Sequence, residues 1–221
     1  MNQNQNRSSA PERLITAHGG YEDLRSYQSS VIVYDGTVKF CDRFIERRSR
    51  TRDQMVQAAR SGNKNIAEGS QVSGTSKKSE LKLVGVARAS LEELLGDYKD
   101  FLRQRGLSLW DKEDPPTAAI RRLAYVENRS YETYRTYVEN SPPEVAANTM
   151  ICLVHQTNFL LDQLLRQLEK QFTAEGGFTE RLYRSRTRFQ GPAVKGRFQN
   201  SEIRSRATAA QRSNHTASLN S

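Results

Sequence analysis

The sequence predicts an all-α protein, an antiparallel up-down-up-down four-helix bundle with disordered N- and C-terminal tails. In four long stretches the apolar residues recur at spacings of three and four, the period of an amphipathic helix. No segment alternates with period two over enough residues to predict a strand. We therefore divide the chain into a disordered tail (1–20), a bundle (21–175), a short basic helix (176–190) and a disordered basic tail (191–221).

The first helix follows Gly19-Gly20, with Asp23 as its predicted N-cap. Its apolar face is predicted from residues spaced by three and four, namely Leu24, Tyr27, Val31, Tyr34, Val38, Cys41 and Ile45. A face this long, widened by Phe40 and Phe44, is typical of a helix that packs against more than one neighbour.

The second helix begins after a basic turn, capped by Ser49 or Thr51. We predict that it ends near Glu68, with Gly69 as the residue that terminates it. Gly62 lies inside this helix, where glycine costs roughly 1 kcal/mol relative to alanine. Such a glycine indicates close packing or a local bend.

The third and fourth helices are the longest. Ser76 or Thr75 caps the third, which carries apolar residues from Leu81 to Leu102 and closes at Gly106. Residues 106–143 are less regular, with a short helix predicted over 117–128 and Trp110 covering one end of the bundle. Ser141-Pro142-Pro143-Glu144 is a strong helix start signal, and the fourth helix runs from it to about Phe172.

The net charge of +9 is unevenly distributed along the chain. Residues 176–221 contain nine basic and two acidic residues, a net charge of +7, whereas residues 21–175 carry about +1. Nucleic-acid binding inferred from overall charge is therefore chiefly a hypothesis about the C-terminal tail.

The two cysteines, Cys41 and Cys152, lie in apolar helical patterns without CxxC spacing, which favours buried thiols in a reducing compartment. The N-terminal residues lack the apolar segment of a signal peptide. No run of about 18 apolar residues predicts a membrane span. We expect a cytoplasmic protein.

A group of polar residues flanks the turn between the second and third helices. Arg88 falls beside the apolar stripe of the third helix, and Glu68 lies at the end of the second. We therefore predict an Arg88–Glu68 ion pair that fixes the register of the two helices. Glu92, one turn after Arg88, could share this pair. The alternative is that these residues line a site. The whole motif comprises Asn65, Glu68, Gly69, Arg88, Ser90 and Glu92.

Catalytic and metal-binding patterns are weak. His155, Asn158 and Asp162 share one stripe of the fourth helix, but metal sites in helical bundles need Glu-x-x-His pairs on two facing helices. We interpret the stripe as a hydrogen-bonded core or interface. With three histidines and no phosphate-binding glycine motif, the sequence predicts no enzyme, no cofactor and no metal site.

The segments Asn65-Ile66-Ala67-Glu68-Gly69 and Ala87-Arg88-Ala89-Ser90-Leu91-Glu92-Glu93-Leu94 resemble a known bacterial family. These are the four-helix-bundle proteins of intervening sequences in large-subunit ribosomal RNA genes, including the four-helix-bundle suffix domain. The chain is also similar to the accessory variability proteins of diversity-generating retroelements. The resemblance spans about 21–172 and implies an antiparallel bundle, assembly as a pentamer, and binding of nucleic acid and a reverse transcriptase.

The residues best suited to contact phosphates are exposed cations near turns and in the tail. Phe178, Tyr183, Phe189 and Phe198 interleave with the tail arginines and suit stacking on unpaired bases. The predicted nucleic-acid-binding residues are Arg47, Arg48, Arg50, Arg52, Lys77, Lys78, Arg181, Arg184, Arg186 and Arg188.

Two functions follow as hypotheses. The first is a non-enzymatic homo-oligomer that binds nucleic acid, RNA rather than DNA. The alternative is a protein-interaction scaffold or an accessory subunit of a nucleic-acid-processing enzyme. A third interpretation also stays open, in which the basic residues bind no partner: the basic turn is a solvated surface and the tail only promotes solubility.

Overall fold

The computed structural model describes residues 19–175 and, beyond them, residues 180, 182, 183, 186 and 187. The predicted disordered tails therefore lie outside the described residues, apart from positions 19 and 20. The chain divides into two compact units, Met1–Gly177 and Phe178–Ser221, and each is considered by itself. The five described residues of the second unit are helical and lie within the predicted basic helix of residues 176–190.

The predicted all-α class is confirmed. Residues 19–175 contain helices, turns, bends and irregular connections but no strand, and three short 3-10 segments lie at Tyr21–Asp23, Leu123–Tyr125 and Tyr131–Thr133. The α-helices of this range are α1 (Arg25–Phe44), α2 (Arg50–Val72), α3 (Lys77–Gln104), α4 (Pro115–Arg122), α5 (Arg135–Glu139) and α6 (Pro143–Glu175).

The long helices pack in a cycle, in which α2 contacts α1 and α3, and α6 contacts α1 and α3. An aromatic cluster ties α1 to α3, because the Phe40 ring centroid lies 4.9 Å from that of Tyr98 and 4.8 Å from that of Phe101. These edge-to-face contacts add about 0.5–1.5 kcal/mol per pair to the burial of the rings. The shorter helices α4 and α5 pack on α6.

Helix starts follow local signals at two of the predicted places. The Ser49 hydroxyl accepts a hydrogen bond from the Thr51 amide at 3.2 Å, and the Ser76 hydroxyl accepts one from the Ser79 amide at 3.1 Å. These caps satisfy amides that have no partner within the helix. At α1 the prediction is wrong: Asp23 belongs to a 3-10 turn, and α1 follows Leu24 without a side-chain cap.

Gly69 does not terminate α2, which continues to Val72. The residue is buried inside the helix, where a Cβ atom would lie 3.5 Å from the Glu80 carbonyl oxygen and 3.5 Å from the Leu83 side chain. Gly69 therefore lies inside α2 facing α3, where an added Cβ would make ordinary van der Waals contacts, and it is not a helix end.

The buried face of α1 is rotated from the predicted one. Most of the predicted apolar stripe is only half-buried, whereas small and polar residues such as Ser29, Ser30 and Thr37 are fully enclosed. The Ser29 hydroxyl lies 2.7 Å from that of Thr157 on α6, and the Tyr98 hydroxyl of α3 donates to Thr37 at 3.0 Å. Small side chains let neighbouring helices approach, and hydrogen bonding removes the penalty for burying them.

Candidate functional site

The basic turn between α1 and α2 presents Arg47, Arg48 and Arg50 to solvent. None of the three forms an ion pair within the described range 19–175. Arg52 differs, because its guanidinium is bound to the Asp42 carboxylate at 2.7 Å. Three of the four arginines predicted here are therefore available to an external anion, and the fourth is held against α1.

Lys77 and Lys78 lie at the start of α3. The Lys77 ammonium pairs with the Glu80 carboxylate at 3.1 Å, and both side chains are largely buried. Burial raises the pKa of Glu80, and the Lys77 ammonium partly opposes that shift. Lys78 is exposed. The 23 residues of α2 separate this pair from the arginine turn by about 34 Å, so the structure does not bring the two clusters together.

The predicted arginines of the C-terminal unit fall mostly outside the described residues. This applies to Arg181, Arg184 and Arg188, whereas Arg186 is described as helical and exposed.

Arg88 connects α3 to α6. Its Nε atom donates to the Asp162 carboxylate at 3.1 Å, and its Nη1 atom binds Glu92 one turn further along α3. Asn158 of α6 also donates to Glu92, at 3.2 Å. The predicted Arg88–Glu68 pair is wrong, because Glu68 is exposed and Asp162 supplies the second carboxylate. Glu92 shares the network as predicted.

The remaining polar residues of the motif, Asn65 and Ser90, both bond to Ser61 of α2. The Asn65 amide donates to the Ser61 carbonyl at 2.9 Å, and the Ser61 and Ser90 hydroxyls lie 2.9 Å apart. The Ser61–Ser90 contact joins the two helices, whereas Asn65 bonds within α2. The polar motif residues other than the exposed Glu68 therefore make contacts along or between helices.

The three residues of the predicted α6 stripe, His155, Asn158 and Asp162, do not share one set of contacts. Asn158 and Asp162 belong to the Arg88 network, whereas His155 is exposed. Partial burial and the nearby Lys99 ammonium lower the pKa of His155. Across the described part of the chain, no group of three His, Cys, Asp or Glu side chains is placed to ligate a metal ion.

Sequence reasoning missed a cavity of about 830 Å³ between α4, α6 and the segment that precedes α4. Its wall contains four cations and no carboxylate: Lys99, Lys112, Arg121 and Arg122. They come from α3, from the segment before α4 and from α4 itself. Separation along the chain hides such a cluster from a search for local charge runs, although Arg121-Arg122 next to Tyr125 is a short basic-aromatic signal.

Aromatic side chains form part of the same wall, namely Trp110, Tyr125 and Phe159. Tyr125 is 91% exposed and Phe159 is 58% exposed. Trp110 is held by its backbone, whose amide donates to the Asn148 side chain at 2.9 Å. The Asn148 amide in turn donates to the Ser108 carbonyl at 2.9 Å, so a buried residue of α6 fixes the position of this segment. Trp110 therefore covers a cavity as well as part of the core.

Comparisons of this chain with protein-family models, with curated proteins and with solved structures find no match. Among the described residues, no helix has the length and apolar character needed to cross a membrane.

Proposed function

We propose that this chain is a non-enzymatic, self-associating antiparallel four-helix bundle that binds nucleic acid, RNA in preference to DNA, through arginine-rich elements. The observation that carries the proposal is the turn between α1 and α2. There, Arg47, Arg48 and Arg50 are exposed and have no ion pair within residues 19–175. Guanidinium groups bind phosphate oxygens in bidentate geometry, and their planar fork loses less conformational entropy per hydrogen bond than a lysine ammonium does.

The bundle interpretation rests on α1, α2, α3 and α6. Only residues 45–49 connect α1 to α2, and only residues 73–76 connect α2 to α3. Short connections of this kind favour antiparallel neighbours. The longer connection between α3 and α6 contains α4 and α5. In this arrangement the arginine turn occupies one end of the bundle.

RNA is preferred because aromatic residues interleave with arginines in the C-terminal unit of the sequence, and unpaired bases stack on such side chains. Assembly as a homo-oligomer, with five copies as the leading number, rests on the family resemblance. Both described cysteines are free and buried, which suits the cytoplasm.

Fluorescence anisotropy with a labelled single-stranded RNA tests the phosphate contacts. The triple substitution Arg47→Gln, Arg48→Gln and Arg50→Gln in the full chain should weaken binding. The slope of log affinity against log salt should fall by about 2, since each lost contact on a single strand contributes roughly 0.7. The matched control substitutes three exposed cations elsewhere on α2 and α3, namely Arg60, Lys64 and Lys82, and should change the slope much less.

Binding that is absent in the full chain, or that does not depend on salt, would refute the proposal. Equal losses in the triple variant and its control would show that only net charge matters, which also contradicts a specific role for the turn. A separate variant with glutamine at Arg181, Arg184, Arg186 and Arg188 measures the contribution of the C-terminal unit.

Light scattering of the full chain, with and without RNA, tests self-association. A pentamer has five times the chain mass of 25.2 kDa, and a monomeric mass under all conditions would contradict the oligomer. The alternative function, a scaffold for another protein, predicts a protein complex that persists after nuclease treatment and after loss of the arginine turn.

A further inference from the structure

We propose that the cavity between α4 and α6 binds a nucleoside phosphate, with the base against its aromatic wall and the phosphate among its cations. A free nucleotide and an unpaired nucleotide within a strand share this chemistry. The cavity shares no residue with the arginine turn, and its proposed ligand does not require that turn to bind RNA.

The charge of the cavity wall favours an anionic ligand. Lys99, Arg121 and Arg122 line the cavity and form no ion pair with any residue of the 19–175 range. The fourth cation, Lys112, lies 3.9 Å from the Glu113 carboxylate, and both side chains are mostly exposed. Uncompensated like charges around one concave wall repel one another, and an anion in their midst removes that repulsion. The phosphate group of the ligand meets this requirement.

Exposed apolar side chains cluster around the same cavity. Within residues 19–175, five large hydrophobic side chains are exposed, and three of them, Leu109, Tyr125 and Phe159, line this cavity. Isolated exposed hydrophobic residues are ordinary on protein surfaces, but a cluster around a concavity is typical of a binding site. Tyrosine and phenylalanine rings offer flat faces on which a base of any sequence can stack.

The volume of the cavity and the fixed position of the Trp110 segment also suit a small-molecule ligand. The cavity of about 830 Å³ falls within the roughly 300–1,000 Å³ of ligand sites. Asn148 holds the Trp110 segment in place through two hydrogen bonds of 2.9 Å, so that part of the wall is formed before a ligand arrives. An acyl chain would also fit the volume. The flat aromatic faces favour a base instead.

Trp110 provides a direct readout, because it is the only tryptophan of the chain and lines the cavity. Full-length protein is titrated with AMP while tryptophan emission is recorded, with adenosine, inorganic phosphate and oleate as separate titrants. We expect a saturable change with AMP at submillimolar concentration. Adenosine and phosphate should each bind at least about tenfold more weakly, because each offers only half of the contacts.

Two variants locate the ligand. Arg121→Gln with Arg122→Gln should weaken AMP binding at least about tenfold by removing two phosphate partners. Tyr125→Ala should weaken it without changing the charge. The matched control, Arg47→Gln with Arg48→Gln, removes the same charge from the other site and should leave AMP affinity unchanged. Circular dichroism of each variant verifies that its helices are intact.

The outcomes separate this inference from the proposed function. No saturable change with AMP, equal affinities for AMP and adenosine, a response to oleate only, or no effect of the Arg121 and Arg122 substitutions each overturns the cavity site. A control pair that loses RNA binding but keeps AMP binding supports both proposals. A short adenine oligonucleotide that binds more tightly than AMP, and loses this advantage in the Tyr125 variant, identifies the ligand as part of a strand.

Discussion

Gly62 is buried in α2 opposite Leu91 of α3, and its replacement by alanine tests how closely these helices are packed. A Cβ atom at position 62 would lie 2.7 Å from Leu91 Cδ2 and 2.8 Å from Leu91 Cγ. Carbon atoms in optimal contact are about 3.5–4.0 Å apart. The added methyl group therefore overlaps a branched side chain that is itself fully buried.

Two free-energy terms oppose each other in Gly62→Ala. Alanine is the better helix former by about 1 kcal/mol. Inserting a methyl group into a packed core costs about 1–3 kcal/mol when the neighbours must shift. One of the two contacts is to Cγ, the branch point of Leu91, so rotating the terminal methyl groups cannot relieve the overlap, which favours the upper part of that range. We expect a net loss of about 1–2 kcal/mol in the free energy of unfolding.

Two other helical glycines serve as controls. Gly96 has nothing within 4 Å of its added Cβ, so Gly96→Ala should stabilise the protein by about 0.5–1 kcal/mol. At Gly36 the Cβ would meet the Sδ and Cε atoms of Met150 at 2.7 and 2.9 Å. Because that chain end can rotate away, Gly36→Ala should fall between the other two.

Urea unfolding followed by circular dichroism measures all three free energies. In a Leu91→Ala background, Gly62→Ala should no longer lower the free energy of unfolding, because the side chain that it overlaps is gone. The double-mutant cycle should therefore show clear coupling between positions 62 and 91. A Gly62→Ala variant as stable as Gly96→Ala would refute the close approach of α2 and α3. Loss of stability without coupling to Leu91 would place the clash elsewhere.

Two further predictions concern buried ionisable groups. Burial, with Asp100 and Glu93 nearby, raises the pKa of Asp97 above 3.8, so the native state binds this proton more tightly than the unfolded state. Stability then falls as pH rises through the window that starts near 3.8. In urea unfolding, Asp97→Asn should be more stable than wild type near pH 7 but equal to it near pH 3. Equal stability of the two proteins near pH 7 would contradict this. Burial also raises the pKa of the Cys41 thiol to about 12 and that of the Cys152 thiol to about 11. At neutral pH a thiol reagent should therefore label neither cysteine in the native protein and both after denaturation. Rapid labelling of the native protein would refute this expectation.

Features set by a few neighbouring residues could be predicted from the sequence. The Ser49 and Ser76 caps depend on a hydroxyl and an amide two or three residues further on, and the helical period repeats every few residues. The all-α class follows from the same repetition. Such signals do not depend on which helix packs against which, so they survive whatever tertiary arrangement the chain adopts.

Features that depend on helix pairing could not be predicted in this way. Hydrophobicity predicts the α1 stripe, but the enclosed face contains Ser29 and Thr37, whose hydroxyls are hydrogen-bonded to Thr157 and Tyr98. The sequence predicts Glu68 of the same motif as the partner of Arg88, whereas Asp162 lies 74 positions away on α6. A single sequence contains no information on such pairs beyond the chemical compatibility of the residues.

The cavity illustrates a more general point about charge. A net charge of about +1 for residues 21–175 favours the C-terminal tail as the anion-binding element, yet four cations of that range surround one concavity and no carboxylate lines it. The potential at a site depends on where charges lie and not on their sum over a segment. These four cations are exposed, as the arginines of the α1–α2 turn are, but a single nucleoside phosphate has no condensed counterions to release, unlike a nucleic-acid strand. Binding at the cavity should therefore depend less steeply on ionic strength than binding at the turn.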